Sequence, residues 1–319
     1  MTDILDQVSA IGLVPVIASV NSVEDAAPLG KALSDGGIPV AEITFRMPKA
    51  ENVIAAMVDN VPDLLVGAGT VINTEQADLA IAAGARFLVA PALNERVVRH
   101  CQQKGVPIIP GIATPSELDK AIEMGLNLVK FFPAEQIGGL AALKAFCGPY
   151  KGVKFIPTGG ISLENLASYL AFDRIAACGG TFMLGKNVEI QNWSGITDLC
   201  RQAVSNMLGL ELVHVGANTP DPETALSSAM RFSELFHFSD PKVGNSSIFA
   251  GTVIEFMKSP YLGKNGHIAL KTNSLDRAVS YLTAMGVQFN KESEKRDASG
   301  KLKAIYIREE IAGFAIHLA

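Results

Sequence analysis

The run Leu126-Asn127-Leu128-Val129-Lys130-Phe131-Phe132-Pro133 reads as a buried parallel strand carrying one charge. Near-continuous hydrophobicity is what a strand covered on both faces requires, so a lone ammonium there has no packing rationale. Leaving it unpaired costs roughly several kcal/mol unless it finds a partner or sheds its proton. A desolvated lysine that has shed its proton is an amine nucleophile, the kind that forms Schiff bases with carbonyl substrates. The plainer alternative is a lysine paired with a buried carboxylate, or one snorkelling from a strand end.

Working outward, similar short apolar runs recur at intervals of roughly 21 to 27 residues. They are Leu13–Ser19, Val40–Phe45, Leu64–Thr70, Arg86–Pro91, Pro107–Ile112, Leu128–Ala134, Lys154–Gly160 and Ile175–Thr181. Amphipathic stretches separate them. Asn21-Ser22-Val23-Glu24 and Thr114-Pro115-Ser116-Glu117 supply helix caps and acidic first turns, and Gly36-Gly37, Gly84, Gly105 and Gly125 close helices before the next strand. Eight strand–helix units predict an α/β fold, a (β/α)8 TIM barrel over residues 1–208. A doubly wound sheet is the alternative, but no GxGxxG follows the first strand.

The chain of 319 residues is long enough for two domains, with a hydrophobic fraction of 48% to fill their cores. A net charge of −5 without a basic tract argues against nucleic-acid or membrane-surface partners. No apolar stretch reaches the roughly 18 residues of a membrane helix, and the acidic N-terminus lacks a signal pattern. Cys101, Cys147, Cys178 and Cys200 are scattered, as expected of reduced thiols in a cytoplasmic protein.

In barrels of this kind the chemistry sits at the C-terminal strand ends, with phosphate often held by the last two loops. Those loops are Thr158-Gly159-Gly160 and Gly179-Gly180-Thr181. Glycine pairs let backbone amides approach an anion, and a helix start after Gly160 adds its dipole. On the second strand, alternation places Glu42, Thr44 and Arg46 on one face, turned into the barrel. Glu42 is then positioned to meet Lys130, and Arg46 to clamp a carboxylate. Thr70 and Thr158 bring hydroxyls to the same rim. An amine nucleophile, an internal carboxylate, a guanidinium and a phosphate cradle describe chemistry on a phosphorylated keto acid, with no metal or other cofactor required.

Residues 1 to about 207 resemble the class I 2-keto-3-deoxy-6-phosphogluconate (KDPG) and 4-hydroxy-2-oxoglutarate (KHG) aldolases. The resemblance rests on Val14–Ile17, Glu42-Ile43-Thr44-Phe45-Arg46, Gly67–Thr70, Pro110–Ile112, Lys130-Phe131-Phe132-Pro133-Ala134-Glu135, Pro157–Ile161 and Gly179-Gly180. It implies that Lys130 forms the Schiff base with pyruvate and that Glu42 is the general acid/base. It implies further that Arg46 and Thr158 hold the carboxylate, that Thr70, Pro91 and Phe132 line the pocket, and that the protein is a homotrimer. Where the family has Gly-Gly-Ser-Trp this chain has Gly179-Gly180-Thr181-Phe182, which keeps a hydroxyl for phosphate. Two alternatives are the epimeric 2-keto-3-deoxy-6-phosphogalactonate as substrate and a phosphosugar-binding regulator without turnover.

After residue 208 the pattern becomes β-rich and repeats: Leu212–Thr219 with a helix from Pro222 is echoed by Gly266–Thr272 with a helix from Ser274. Residues 209–319 are read as a smaller α+β domain of paired βαβββ modules. They resemble the glyoxalase/dioxygenase superfamily. That resemblance implies a divalent metal held by His214, Glu255, His267 and His317, the last standing where a glutamate is usual.

Overall fold

The computed structural model describes residues 3–319, which divide into two compact units at Met207/Leu208. Strands of the first unit are β1 Leu13–Ile17, β2 Val40–Thr44, β3 Leu65–Gly69, β4 Phe87–Val89, β5 Ile108–Ile109, β6 Gly111–Ile112, β7 Leu128–Phe131, β8 Lys154–Pro157 and β9 Cys178–Gly180. All pairings among them are parallel. β5 and β6 are halves of one strand interrupted at Pro110, which has no N–H for the ladder; its carbonyl still accepts from the Lys130 amide at 2.9 Å.

Pairing runs β1-β2-β3-β4-β5 and then β6-β7-β8. Bridges Phe155↔Ile175 and Thr158↔Gly179 carry it to β9, which pairs with β1 at Pro15↔Gly180. Eight strand positions therefore follow one another in a ring, each inside a run predicted from the sequence. The eighth is shorter than expected, because Ile175 and Ala176 approach β8 only through single contacts.

Helices alternate with the strands, and the start of several is written locally. Thr114 and Glu117 form a capping box with Pro115 at the first helical position of Pro115–Glu123, and Ser162 caps Leu163–Leu170. A cap of this kind contributes about 1 kcal/mol and fixes where the helix begins, just past the C-terminal end of its strand. The strand residues are almost wholly buried, with Phe131 and Phe155 at zero exposure. Each such aromatic contributes roughly 2–3 kcal/mol by burial. One helix, Ile4–Ile11, escaped the strand-based reading; Asp3 caps it and Gly12 ends it at φ 77°.

The second unit has β10 Glu211–Asn218, helix Pro222–Phe236, β11 Lys242–Val243, β12 Ser247–Ala250 and β13 Ile254–Met257. The order repeats as β14 Gly266–Lys271, helix Leu275–Ala284, β15 Phe289–Arg296, β16 Leu302–Ile311 and β17 Phe314–Leu318. One eight-stranded sheet results, ordered β11-β12-β13-β10-β14-β17-β16-β15. Read outward from the antiparallel β10–β14 pair, both halves have the same order, first strand, fourth, third, second. Ala225 and Ala229 let the first helix lie close on Ile248 and Ala250, with Phe232 and Phe256 at the margin.

Candidate active site and candidate metal centre

Lys130 of β7 and Glu42 of β2 lie 88 residues apart in sequence and meet inside the first unit, Nζ to Oε1 at 3.3 Å. They are 6% and 2% exposed. Both line a small cavity with Val14, Phe87, Val89, Ile109, Ile156 and Thr158. The Phe132 ring lies 5.3 Å from the ammonium, a cation–π distance. Glu42 fits only because Gly69 has no side chain: a Cβ there would stand 2.2 Å from the carboxylate oxygen. Apolar walls confine one amine and one carboxylate to a pocket in which a proton can pass between them or to a bound molecule.

The rim is less regular than alternation predicted. β2 ends at Thr44, and the turn closed by Met47 N–H to Thr44 O carries Arg46 out of the strand. Arg46 is exposed at the strand end, with Nε 3.4 Å from Thr44 Oγ1, the side chain two residues before it. Thr70 adopts φ 55°, a left-handed conformation that β-branched residues rarely hold outside functional positions. Pro91 follows β4 and is half-buried.

Thr158 Oγ1 is buried in the cavity wall without a hydrogen-bond partner, an orphan hydroxyl suited to an anionic oxygen. The carbonyls beside it are all engaged: Thr158 O by Ala134 N–H, Gly159 O by Glu135 N–H and Gly160 O by Asn165 Nδ2. Turning these carbonyls toward neighbours leaves the amides as the free edge of the loop. Among the described residues, the amides of Gly159, Gly160 and Ile161 donate to no protein acceptor. Gly179 lies beside Thr158, and Gly180 leads into Thr181, whose carbonyl accepts from Leu184 and Gly185 in the first turn of the following loop. The two glycine pairs thus share one edge, an arrangement that suits a phosphoryl group.

In the second unit four side chains from four strands converge. Glu255 Oε2 lies 3.2 Å from His214 Nε2 and 3.0 Å from His267 Nε2, and the two imidazole nitrogens are 3.0 Å apart. His214, His267 and His317 form a group whose ligand nitrogens lie within 4.8 Å of one another, and Glu255 adjoins it through the first two. Ser247 Oγ donates to the other Glu255 oxygen. Burial pushes the Glu255 carboxyl up, yet the bonds from His214, His267 and Ser247 outweigh it and hold the group well below the usual range. His317 is lowered to about 4, chiefly by burial and then by His267 and His214. The buried Nδ1 atoms of His267 and His317 lack partners. Gly216 makes room for His267, whose ring would stand 2.1 Å from a Cβ at that position. Three imidazoles beside one carboxylate, with nitrogen donors this close, fit a divalent transition metal.

A buried amine–carboxylate pair below a glycine-lined rim defines a lysine-dependent site at the mouth of a parallel α/β ring. The family model for KDPG and KHG aldolases matches residues 4–199. The chain belongs to that family. It is 47% identical over 205 residues to the 2-dehydro-3-deoxy-phosphogluconate aldolase of Treponema pallidum, covering 64% of this chain and 97% of the relative. The KHG/KDPG aldolase of Escherichia coli K12 is 42% identical over 193 residues, 60% of this chain and 90% of the relative. A crystal structure of KDPG aldolase from Legionella pneumophila, with pyruvate captured as a covalent carbinolamine, matches at 41% identity and a TM-score of 0.60. It covers 62% of this chain and 97% of its own. The family match stops short of the second unit.

Sequence reasoning missed the residues that make space or hold others in place: Gly69, Gly216 and Ser247. A glycine after an apolar run was the available signal for Gly69, but nothing local tells which distant side chain fills the gap.

Proposed function

We propose that this protein is a Schiff-base aldolase that cleaves 2-keto-3-deoxy-6-phosphogluconate to pyruvate and glyceraldehyde 3-phosphate on a (β/α)8 barrel. It also splits 4-hydroxy-2-oxoglutarate to pyruvate and glyoxylate, because both substrates present the same keto-acid end. The observation that carries the reading is the buried Lys130–Glu42 pair, 3.3 Å apart, in a chain of this family. Lys130 Nζ adds to the C2 carbonyl, and loss of water gives an iminium. Glu42, directly or through water, takes the proton of the C4 hydroxyl. The C3–C4 bond then breaks, its electron pair flows into the iminium, and the aldehyde leaves. Glu42 returns a proton to C3 of the enamine, and water releases pyruvate from Lys130. Arg46 and Thr158 take the carboxylate, Thr70, Pro91 and Phe132 bound the pocket, and Gly159, Gly160, Gly179, Gly180 and Thr181 take the phosphoryl group.

The test is borohydride trapping with pyruvate, read by intact mass and peptide mapping. One pyruvate-derived adduct on Lys130 supports the reading; a folded protein that forms none is a phosphosugar binder instead. Side-by-side kinetics on the gluconate and galactonate epimers assign the stereochemistry. Sedimentation tests the trimer. Four cysteines outside any disulfide fit a cytoplasmic location, and among the described residues no helix is long and apolar enough to cross a membrane.

The convergence of His214, Glu255, His267 and His317 favours a second reading for the C-terminal unit, a glyoxalase/dioxygenase-like domain of paired modules that holds a divalent metal. A metal bound there would supply Lewis acidity to an oxygen ligand. Ser247 would orient Glu255 so that one carboxylate oxygen remains for the ion. Metal content of the purified protein, with and without His267→Ala, tests it.

A further inference from the structure

Asp25 is 3% exposed and lies outside the reaction described above, in the loop that follows β1. Its Oδ2 accepts from the amides of Asn21 and Ser22, at 3.0 and 3.3 Å, and so serves the short helical turn Val23–Asp25. Local capping accounts for that oxygen alone. The other, Oδ1, accepts from Gln191 Nε2 at 2.7 Å, a bond that spans 166 residues. Asn21 reinforces it, Nδ2 donating to Glu189 O at 3.0 Å and more weakly to Val188 O at 3.5 Å. The far partners all belong to the loop between β9 and helix Trp193–Leu208, the loop that begins at Thr181.

Gln191 is held at φ 52°, in the left-handed region where a side chain other than glycine is strained. Its backbone carries that strain while its side chain reaches a buried carboxylate, and a charge-assisted hydrogen bond is the kind strong enough to offset it. The first strand's loop therefore fixes the end of the segment whose beginning carries Thr181 and the Gly180 edge. β1 and β9 are already neighbours at Pro15↔Gly180, so the clamp extends their pairing beyond the ladder.

We infer that the Asp25–Gln191 clamp is a positioning device for the phosphoryl end of the substrate and sets preference for phosphorylated over short keto acids. The inference rests on the aldolase reading and on phosphate binding at Gly159, Gly160, Gly179, Gly180 and Thr181. Neither Asp25 nor Gln191 touches the reacting atoms. Loosening the loop should weaken a contact made equally in ground and transition states, which raises KM and leaves kcat alone.

The decisive variant is Gln191→Gly, which removes the clamp while its relief of the left-handed strain offsets part of the cost of the lost bond, and its unfolding midpoint is measured beside the kinetics. Asp25→Asn, which keeps the size and loses the charge, is its companion. Steady-state kinetics on 2-keto-3-deoxy-6-phosphogluconate and 4-hydroxy-2-oxoglutarate, with inorganic phosphate as a competitive probe, read the result. We expect KM for the phosphorylated substrate and Ki for phosphate to rise about fivefold to tenfold together, with kcat unchanged. Kinetics on 4-hydroxy-2-oxoglutarate should not move. An equal loss on both substrates, or an unchanged phosphate Ki, overturns the inference. Absence of aldol cleavage by the unmodified protein would instead overturn the aldolase reading.

Discussion

The two units each gather buried ionisable groups around a space kept open by glycine, but with opposite electrostatics. In the first, one ammonium meets one carboxylate, and Gly69 vacates the room for Glu42. In the second, two of three clustered imidazoles meet one carboxylate, and Gly216 vacates the room for His267. The first pair sets one positive group against one negative group inside an apolar cavity. The second set offers three imidazole donors to a single carboxylate, more nitrogen ligands than charge balance alone calls for. That donor set is what the proposed divalent cation would require. Buried charge alone does not say which kind of site has been built; the ratio of donors to carboxylates does.

The strongest way to break this contrast is to remove the amine. Lys130→Arg keeps the charge opposite Glu42 but cannot form an imine. Cleavage should fall on the order of 10⁴-fold or more, and the borohydride adduct should vanish. Metal content of the second unit should stay the same. Residual cleavage within tenfold of the unmodified protein would show that Lys130 is only the partner of a buried carboxylate. Lys130→Ala, by contrast, strands Glu42 and should also destabilise the protein by about 3–5 kcal/mol in denaturant titration.

Chelation sharpens the other half of the comparison. An ion that binds only the folded protein, at a free concentration about 1,000 times its dissociation constant, adds roughly 4 kcal/mol to stability. Removing it with a chelator should lower the unfolding midpoint of the second unit. The first unit, followed through the fluorescence of Trp193, the chain's one tryptophan, should not respond. A midpoint unchanged by chelator and by added Zn²⁺ or Ni²⁺ would leave the histidine cluster without a metal role.

The two glycines allow a matched pair of substitutions. Gly69→Ala must push the Glu42 carboxylate aside, and a displacement of about 1 Å costs on the order of 100-fold in turnover. Gly216→Ala must push the His267 ring, with a loss of about 10- to 100-fold in metal affinity and no change in aldol cleavage. Each effect should stay within its own unit. Loss of cleavage on Gly216→Ala in a folded protein would contradict the separation.

What the sequence revealed follows the same divide between local and distant information. The strands were legible because near-continuous apolar runs and cap residues such as Ser22 and Thr114 are local signals. Lys130 stood out because a charge within such a run is locally costly. The meeting with Glu42 followed from alternation along β2, but no local signal marks Thr44 as the strand's last residue, so the turn that carries Arg46 was not legible. Asp25 to Gln191 and Ser247 to Glu255 were illegible for a different reason. Such bonds depend on which loops the closed ring or the folded sheet brings together, and a polar residue in a loop carries no mark of its partner. The repeat in the second unit lay between: two matching strand–helix starts were visible, whereas the symmetric strand order emerged only in the sheet.

Acid titration offers the smallest and most specific test. His317 is lowered to about 4 in the folded protein against an ordinary value near 6.5, burial being the main cause. A folded-state value below the unfolded one means that the unfolded chain binds the proton more readily. The stability supplied by neutral His317 is therefore present above about pH 6.5 and is lost as pH falls toward 4. For the metal-free protein that amounts to about 2 kcal/mol between pH 7 and pH 5, read as a lower denaturant midpoint of the second unit. His317→Gln, which cannot take up the proton, should flatten this dependence while the Trp193 transition keeps its own. If the slope survives the substitution, the neutral imidazole at 317 is not what the second unit loses in acid, and the contrast between a self-balanced pair and an ion-dependent cluster must rest on His214 and His267 alone.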